Sequence, residues 1–378
     1  MLKEMNTEMS FSDEQAMILK SAREFCNKKS PISEVRELME TDNGFKQDIW
    51  EEMVELGWTG AAIPEAYGGI GLDIGSVIAI AESMGRYMLS TPFFSVTLAA
   101  QAVLRAGTDA QKKIWLPKIA DGTIGTLALM DSEDWGSEDV TCMATEEGGT
   151  LVLSGRKLLV TDAEVAEFFI VSVNYNNSSA MVIVSRDQLE LDAIQRHLLI
   201  DETKRAYHVD FSGVVVDPSE LLDPAASPKT LFDLKLIGAL LTAAEATGGT
   251  AAALALTVEY LKNRKQFGKH IGSYQALKHP TVDILNEMEH ARSHVYHAAT
   301  IVGDGPLDED MEISCRMAKA QADKALLFAG DRAVQFHGGM GFTYECDAQL
   351  YIRRAQWSQQ QFGDAYHHRK RLAVLLLD

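Results

Sequence analysis

The hydrophobic pattern changes twice along the chain. Over residues 10–120 it is helical, with segments at 48–56, 77–87, 96–105 and 108–120. Ser12-Asp13-Glu14-Gln15 reads as a helix start, a polar cap followed by an acidic first turn. From about 123 to 222 the texture is β-rich: short apolar runs at 127–130, 151–154, 157–161, 168–173, 180–184 and 209–216 are separated by Gly, Asn, Ser and Asp. From 228 the helical pattern returns in Ala-rich segments near 229–262, 275–303, 308–336 and 345–360. The stretch from Leu231 to Lys262 has no proline and reads as one long buried helix. Helices, then strands, then helices predict an α+β protein: an N-terminal helical domain (1–121), a middle β-barrel or sandwich (122–225) and a C-terminal four-helix bundle (226–378).

Composition narrows the class. A chain of 378 residues is long for one core, and 46% hydrophobic residues is ordinary for a soluble globular protein. A formal charge of −19 argues against nucleic acid and anionic membranes, which would repel the chain, though not against a phosphorylated ligand in a local basic pocket. Cys26, Cys142, Cys315 and Cys346 are scattered and suggest neither a disulfide framework nor a metal site. The polar, acidic residues 1–10 show no signal or transit pattern, and no apolar run looks long enough to span a bilayer. The expectation is a cytoplasmic protein without a membrane span.

Two strings carry candidate chemistry. In Arg264-Lys265-Gln266-Phe267-Gly268 a guanidinium offers a bidentate grip on phosphate oxygens, an amide adds a neutral donor, and the glycine lets backbone approach a ligand. The alternative is a basic, solvated helix end. In Gln335-Phe336-His337-Gly338-Gly339-Met340-Gly341, three glycines within four residues permit close approach of exposed amides to phosphate or an adenine edge. A plain glycine-terminated helix is the alternative there. The histidines have no metal-ligand spacing.

The first string, continued through Ile271, Gln275 and His279, resembles the signature of the acyl-CoA dehydrogenase family of FAD-dependent flavoproteins. The glycine run at 338–341, the loop 57–69 and the segment 115–122 are similar to that family too, so the resemblance covers nearly the whole chain. It implies FAD as cofactor, with Arg264, Gln266, Phe267, Gln335, Gly338 and Gly339 serving a flavin seated mainly in a neighbouring subunit. Ser132 and Thr161 would contribute to the flavin pocket within the chain itself. It implies a homo- or heterotetramer built as a dimer of dimers, an acyl-CoA substrate from fatty acid or steroid side-chain β-oxidation, and an electron acceptor of the electron-transfer flavoprotein type. The reaction implied is α,β-dehydrogenation: a carboxylate takes a proton from Cα while hydride leaves Cβ for flavin N5.

The chain departs from the family where the base belongs. The C-terminal position that holds glutamate in the commonest members is Phe362, and the alternative position on the long helix is Gly238. Glu245 is seven residues beyond Gly238 on the same helix face and is the leading candidate base, with a pKa expected to rise on burial. A structural glutamate paired with a nearby cation is the alternative. Asp364 is the second candidate, and Glu133 is expected to be structural. The loop Ser132-Glu133-Asp134-Trp135-Gly136-Ser137-Glu138-Asp139 departs from the family's flavin-facing loop, with Glu138 set to repel phosphate. Leu159-Val160-Thr161 keeps only the threonine of the string that covers the flavin. Weakened contacts within the chain beside intact contacts to a neighbour resemble the small subunit of bacterial heteromeric acyl-CoA dehydrogenases. Three readings follow: a dehydrogenase using Glu245, a partner subunit that completes another chain's FAD site, and a flavin oxidase or monooxygenase relative. Gly238, Gly248 and Gly249 hint at room for a bulky acyl group.

Overall fold

The computed structural model describes residues 13–377 apart from Glu138 and Asp304, so the expected cap Ser12 and the repulsion assigned to Glu138 fall outside the described residues. Six helices come first: α1 (Asp13–Lys29), α2 (Ile32–Met39), α3 (Gln47–Glu55), α4 (Ile74–Tyr87), α5 (Phe93–Ala106) and α6 (Asp109–Ala120). Local chemistry sets their ends. Thr108 caps α6 in a reciprocal box with Gln111, and Asp73 accepts from the Ser76 amide at the start of α4.

The middle region holds β1 (Gly125–Ala128), β2 (Met143–Glu147), β3 (Thr150–Ser154), β4 (Arg156–Thr161), β5 (Phe168–Tyr175), β6 (Ser178–Ser185), β7 (Ile194–His197), β8 (Ala206–Asp210) and β9 (Val215–Val216). One sheet has the order β1-β5-β2-β3-β9, with β6 also pairing along β5, and a second has the order β4-β8-β7. A bridge between Met130 and Leu158 joins them. The sequence pattern passed over β2 and β7, whose exposed polar faces (Thr145, Glu146 and Glu147; Gln195 and Arg196) mask the alternation. The run expected at 209–216 divides into β8 and β9 because Gly213 turns between them at φ 81°.

The C-terminal region contains α7 (Ser227–Asn263), a hairpin of β10 (Lys265–Gln266) and β11 (Lys269–His270), then α8 (Gln275–Ile301), α9 (Glu309–His337), α10 (Ala348–Ser358) and α11 (Ala365–Leu377). Helices α7 to α10 match the four expected segments, and α11 adds a fifth that packs on α9. One expectation is corrected here: by length and composition α7 is apolar enough to cross a membrane, but its most apolar window is 83% buried, as befits the central helix of a bundle. Helix α4 crosses α7 with backbones in contact, since a Cβ on Gly248 would collide with the Glu82 carbonyl and one on Gly85 with the Glu245 carbonyl. Gly248 is therefore a helix-packing glycine and leaves no room for substrate, while Gly249 faces Leu326.

Candidate functional site

Two neighbouring cavities lie where the sheets meet α7 and the segment 357–371. The outer one, about 380 Å3, is lined by Ser132, Trp135, Phe232, Lys235, Arg316 and His367 among others. The inner one, about 80 Å3, is lined by Phe94, Leu98, Thr161, Thr242, Glu245 and Gln361 among others. Leu129, Met130, Trp135 and Phe362 border both, so the two are compartments of one cleft.

The turn between α10 and α11 divides them. Lys319 lies fully buried on α9, ion-paired with Asp323 at 2.5 Å, and donates to the carbonyls of Ser358 (3.0 Å) and Gly363 (3.1 Å). Those bonds hold Phe362 at φ 56°, a left-handed conformation rare for an aromatic residue. Its ring packs on Trp135, with centroids 4.5 Å apart, and covers Gly238, where an added Cβ would stand 2.5 Å from Phe362 Cζ. The two positions at which the resemblance places a base thus face one another across the cleft, and an aromatic ring occupies the space between.

Glu245 reaches the inner cavity but is engaged. Its Oε1 accepts from Arg354 Nη1 at 2.8 Å and from Lys204 Nζ at 2.6 Å. Arg354, 1% exposed, also donates to Asp201 and to Thr203 Oγ1. Burial by itself would raise the Glu245 carboxyl, but the two cations beside it more than offset that and hold it below the ordinary value. The expected upward shift does not occur, because a carboxylate paired with cations gains more from their field than it loses in leaving water. Asp364 accepts from the His367 amide at 2.7 Å and caps the start of α11, and Glu133 is exposed.

Sequence reasoning passed over a fourth carboxyl. Asp162 follows Thr161 at φ 55°, lines the inner cavity and accepts from Ser95 Oγ at 2.6 Å. Burial pushes it up to about 6, against the Ser95 hydrogen bond and the charges of Lys204 and Arg205. Its signal in the sequence was only its place beside Thr161, whose hydroxyl lies 3.0 Å from Ser95. Another overlooked anchor is the buried Lys157, bonded to Asp131 (2.7 Å) and Ser172 (2.8 Å), which fixes the start of the 131–139 loop.

The remaining candidates gather elsewhere. Tyr260 stacks on His337 with centroids 4.1 Å apart, joining the end of α7 to the end of α9. Arg264, Gln266, Gln335, Gly338 and Gly339 are all exposed there, and Phe267 at the hairpin tip is 90% exposed. A Cβ on Gly338 or Gly339 would meet nothing within 4 Å, leaving an open cradle of backbone. None of these residues borders the cleft of its own chain. An exposed guanidinium, two amides, an uncovered aromatic and a bare glycine turn fit a dinucleotide held across an interface. Within the chain, Ser132 borders the outer cavity and Thr161 the inner one, but Asp134 and Asp139 near Ser132 do not suit a pyrophosphate.

Such a fold and divided site define a flavin-dependent oxidoreductase of the acyl-CoA type. Sequence profiles of the acyl-CoA dehydrogenase N-terminal and C-terminal domains match residues 12–123 and 236–374. The chain belongs to the acyl-CoA dehydrogenase family, whose members use FAD to oxidise a CH–CH bond of an acyl-CoA and work as oligomers. It is 27% identical to the acyl-CoA dehydrogenase IpdE2 of Mycolicibacterium smegmatis, over 96% of this chain and 98% of that one. It is 28% identical to the short-chain specific acyl-CoA dehydrogenase of Megasphaera elsdenii, over 93% and 95%. Among solved structures it is similar to a variant of the Tcur3481-Tcur3483 steroid ACAD, with TM-score 0.82 and 26% identity over 96% and 97% of the chains. It is also similar to butyryl-CoA dehydrogenase from Megasphaera elsdenii, with TM-score 0.85 and 25% identity over 98% and 100%.

Proposed function

We propose that this chain is the non-basic subunit of a heteromeric acyl-CoA dehydrogenase, in which the proton-abstracting carboxylate belongs to a partner chain. The observation that carries this reading is the Phe362 ring over Gly238, since a hydrocarbon ring cannot accept a proton. Glu245 is this chain's leading candidate base. Its two ion pairs would have to loosen before it could reach a substrate.

FAD, when bound, supplies the hydride acceptor. Arg264 would grip the phosphate oxygens of a flavin seated mainly in the neighbouring subunit, Gln266 would meet its polar edge and Phe267 would cover it. Gln335, Gly338 and Gly339 would offer donors and close backbone at the far end. In the outer cavity Lys235, Arg316 and Arg371 present positive charge to an anionic CoA, despite the acidity of the whole chain. Trp135 and Phe362 exclude water between the compartments. Electrons would pass onward to an acceptor of the electron-transfer flavoprotein type, and the assembly is a heterotetramer. Similarity to the Tcur3481-Tcur3483 steroid ACAD supports this reading.

Flavin content and mass, measured on the chain produced alone and together with a base-bearing acyl-CoA dehydrogenase chain, test the proposal. Less than one flavin per chain alone, rising on co-production with a stable hetero-oligomer, is the expected result. A full flavin complement in the lone chain, bleached by acyl-CoA, would refute it.

A further inference from the structure

The inner cavity carries more polar lining than a hydrocarbon acyl chain uses. Met84, Phe94 and Leu98 give it apolar lining beside the bonded pair Ser95 and Asp162, while Thr242, Glu245, Lys204 and Gln361 face it from α7, the 201–205 segment and the 358–363 turn. Lys204 has its Nζ bonded to Glu245 and 5.3 Å from the Phe94 ring centroid. Gln361 is 5% exposed, and its Nε2 is shielded from solvent without a hydrogen-bond partner among the described residues. The backbone that carries it is fixed, because Lys319 fastens the turn on both sides of it, at the carbonyls of Ser358 and Gly363. An unpaired amide donor in a desolvated wall is costly unless a ligand pairs it.

We propose that the inner cavity takes a CoA thioester whose acyl group carries a second oxygen, a ketone or hydroxyl beyond the thioester carbonyl, and that this oxygen accepts from Gln361 Nε2. The inference rests on the acyl-CoA reading of the cleft but not on which chain holds the base, since it concerns binding alone. The cations Lys204 and Arg354 are met by Glu245 and Asp201 across the same network, so the wall suits a neutral oxygen better than a carboxylate.

Isothermal titration of the FAD-saturated full-length chain with octanoyl-CoA, and with oxo-octanoyl-CoAs bearing the ketone at successive carbons, tests it. At least one oxo isomer should bind about tenfold more tightly than octanoyl-CoA, the factor expected when one buried donor gains a partner. In Gln361→Leu that advantage should vanish, so that the two ligands bind alike. Equal or weaker binding of every oxo isomer by the unaltered chain overturns the proposal without recourse to any variant. Equal weakening of both ligands in Gln361→Leu also overturns it, by placing Gln361 against the part they share. Binding of neither ligand would instead remove the acyl-CoA reading of the cleft, and the inference with it.

Discussion

Phe362 and Gly238 are in direct contact: the ring of one lies where the side chain of the other would begin, with a Cβ on Gly238 falling 2.5 Å from Phe362 Cζ. Either position alone would look like a simple loss of the base. Together they are a complementary pair, a large residue matched to the smallest.

That pairing predicts coupled stability. Gly238→Ala should destabilise the chain by about 1–3 kcal/mol through overpacking against the ring. Adding Phe362→Leu should recover part of that loss. Urea denaturation of the two single variants and the double variant gives the coupling directly, and strictly additive effects would mean the ring does not rest on Gly238.

The Glu245–Arg354–Asp201 network predicts a second effect. Replacing Glu245 with Gln leaves Arg354 buried beside one carboxylate fewer and should cost about 3–5 kcal/mol. Both Glu245 and Asp201 are held below their ordinary values in the folded protein, where nearby cations outweigh burial. Their contribution is therefore present above the unfolded carboxylate pKa and is lost as pH falls through the folded one. The difference between Glu245→Gln and the unaltered chain, followed by thermal melts, should be full at pH near 7 and shrink below about pH 4.

Asp162 has the opposite sign. Burial lifts its pKa to about 6, so the folded chain favours the protonated acid. This residue lowers stability as pH rises from the unfolded value through 6, and the penalty is complete above that. Asp162→Asn should stabilise the chain at pH 7.5 by about 1–2 kcal/mol after allowing for partial solvent screening, seen as a raised melting midpoint, with little change near pH 4. No pH dependence in the difference would show that Asp162 stays ionised.

The hairpin tip predicts an assembly effect. Phe267→Ser removes an aromatic that is 90% exposed in the isolated chain and should leave the midpoint of unfolding nearly unchanged. Light scattering and flavin absorbance should instead report a smaller particle and weaker flavin retention. Arg264→Lys should retain less flavin as well, because an ammonium cannot make the bidentate contact.

Much of this was legible in the sequence. Helix order, the strand-rich middle and the two exposed strings follow from local periodicity and glycine spacing, which survive without tertiary information. The environment of Glu245 was not legible, because its partners Lys204 and Arg354 lie 41 and 109 residues away. Without them a lone carboxylate in an apolar helix reads as a base with a raised pKa. The glycines misled for the same reason: Gly248 looks like open space until α4 is packed against it. Gln361 carries no local pattern, and its Nε2, unpaired among the described residues, sits in a turn that Lys319 fastens from another helix.

The central claim is that the proton-removing carboxylate lies outside this chain. The most direct test is to saturate the lone chain with FAD, mix it anaerobically with a panel of acyl-CoAs and follow the flavin's visible absorbance. The account predicts that the band persists with every substrate. A band that bleaches with the unaltered chain, but not with a Glu245→Gln variant that still holds FAD, would contradict it and place the base at Glu245.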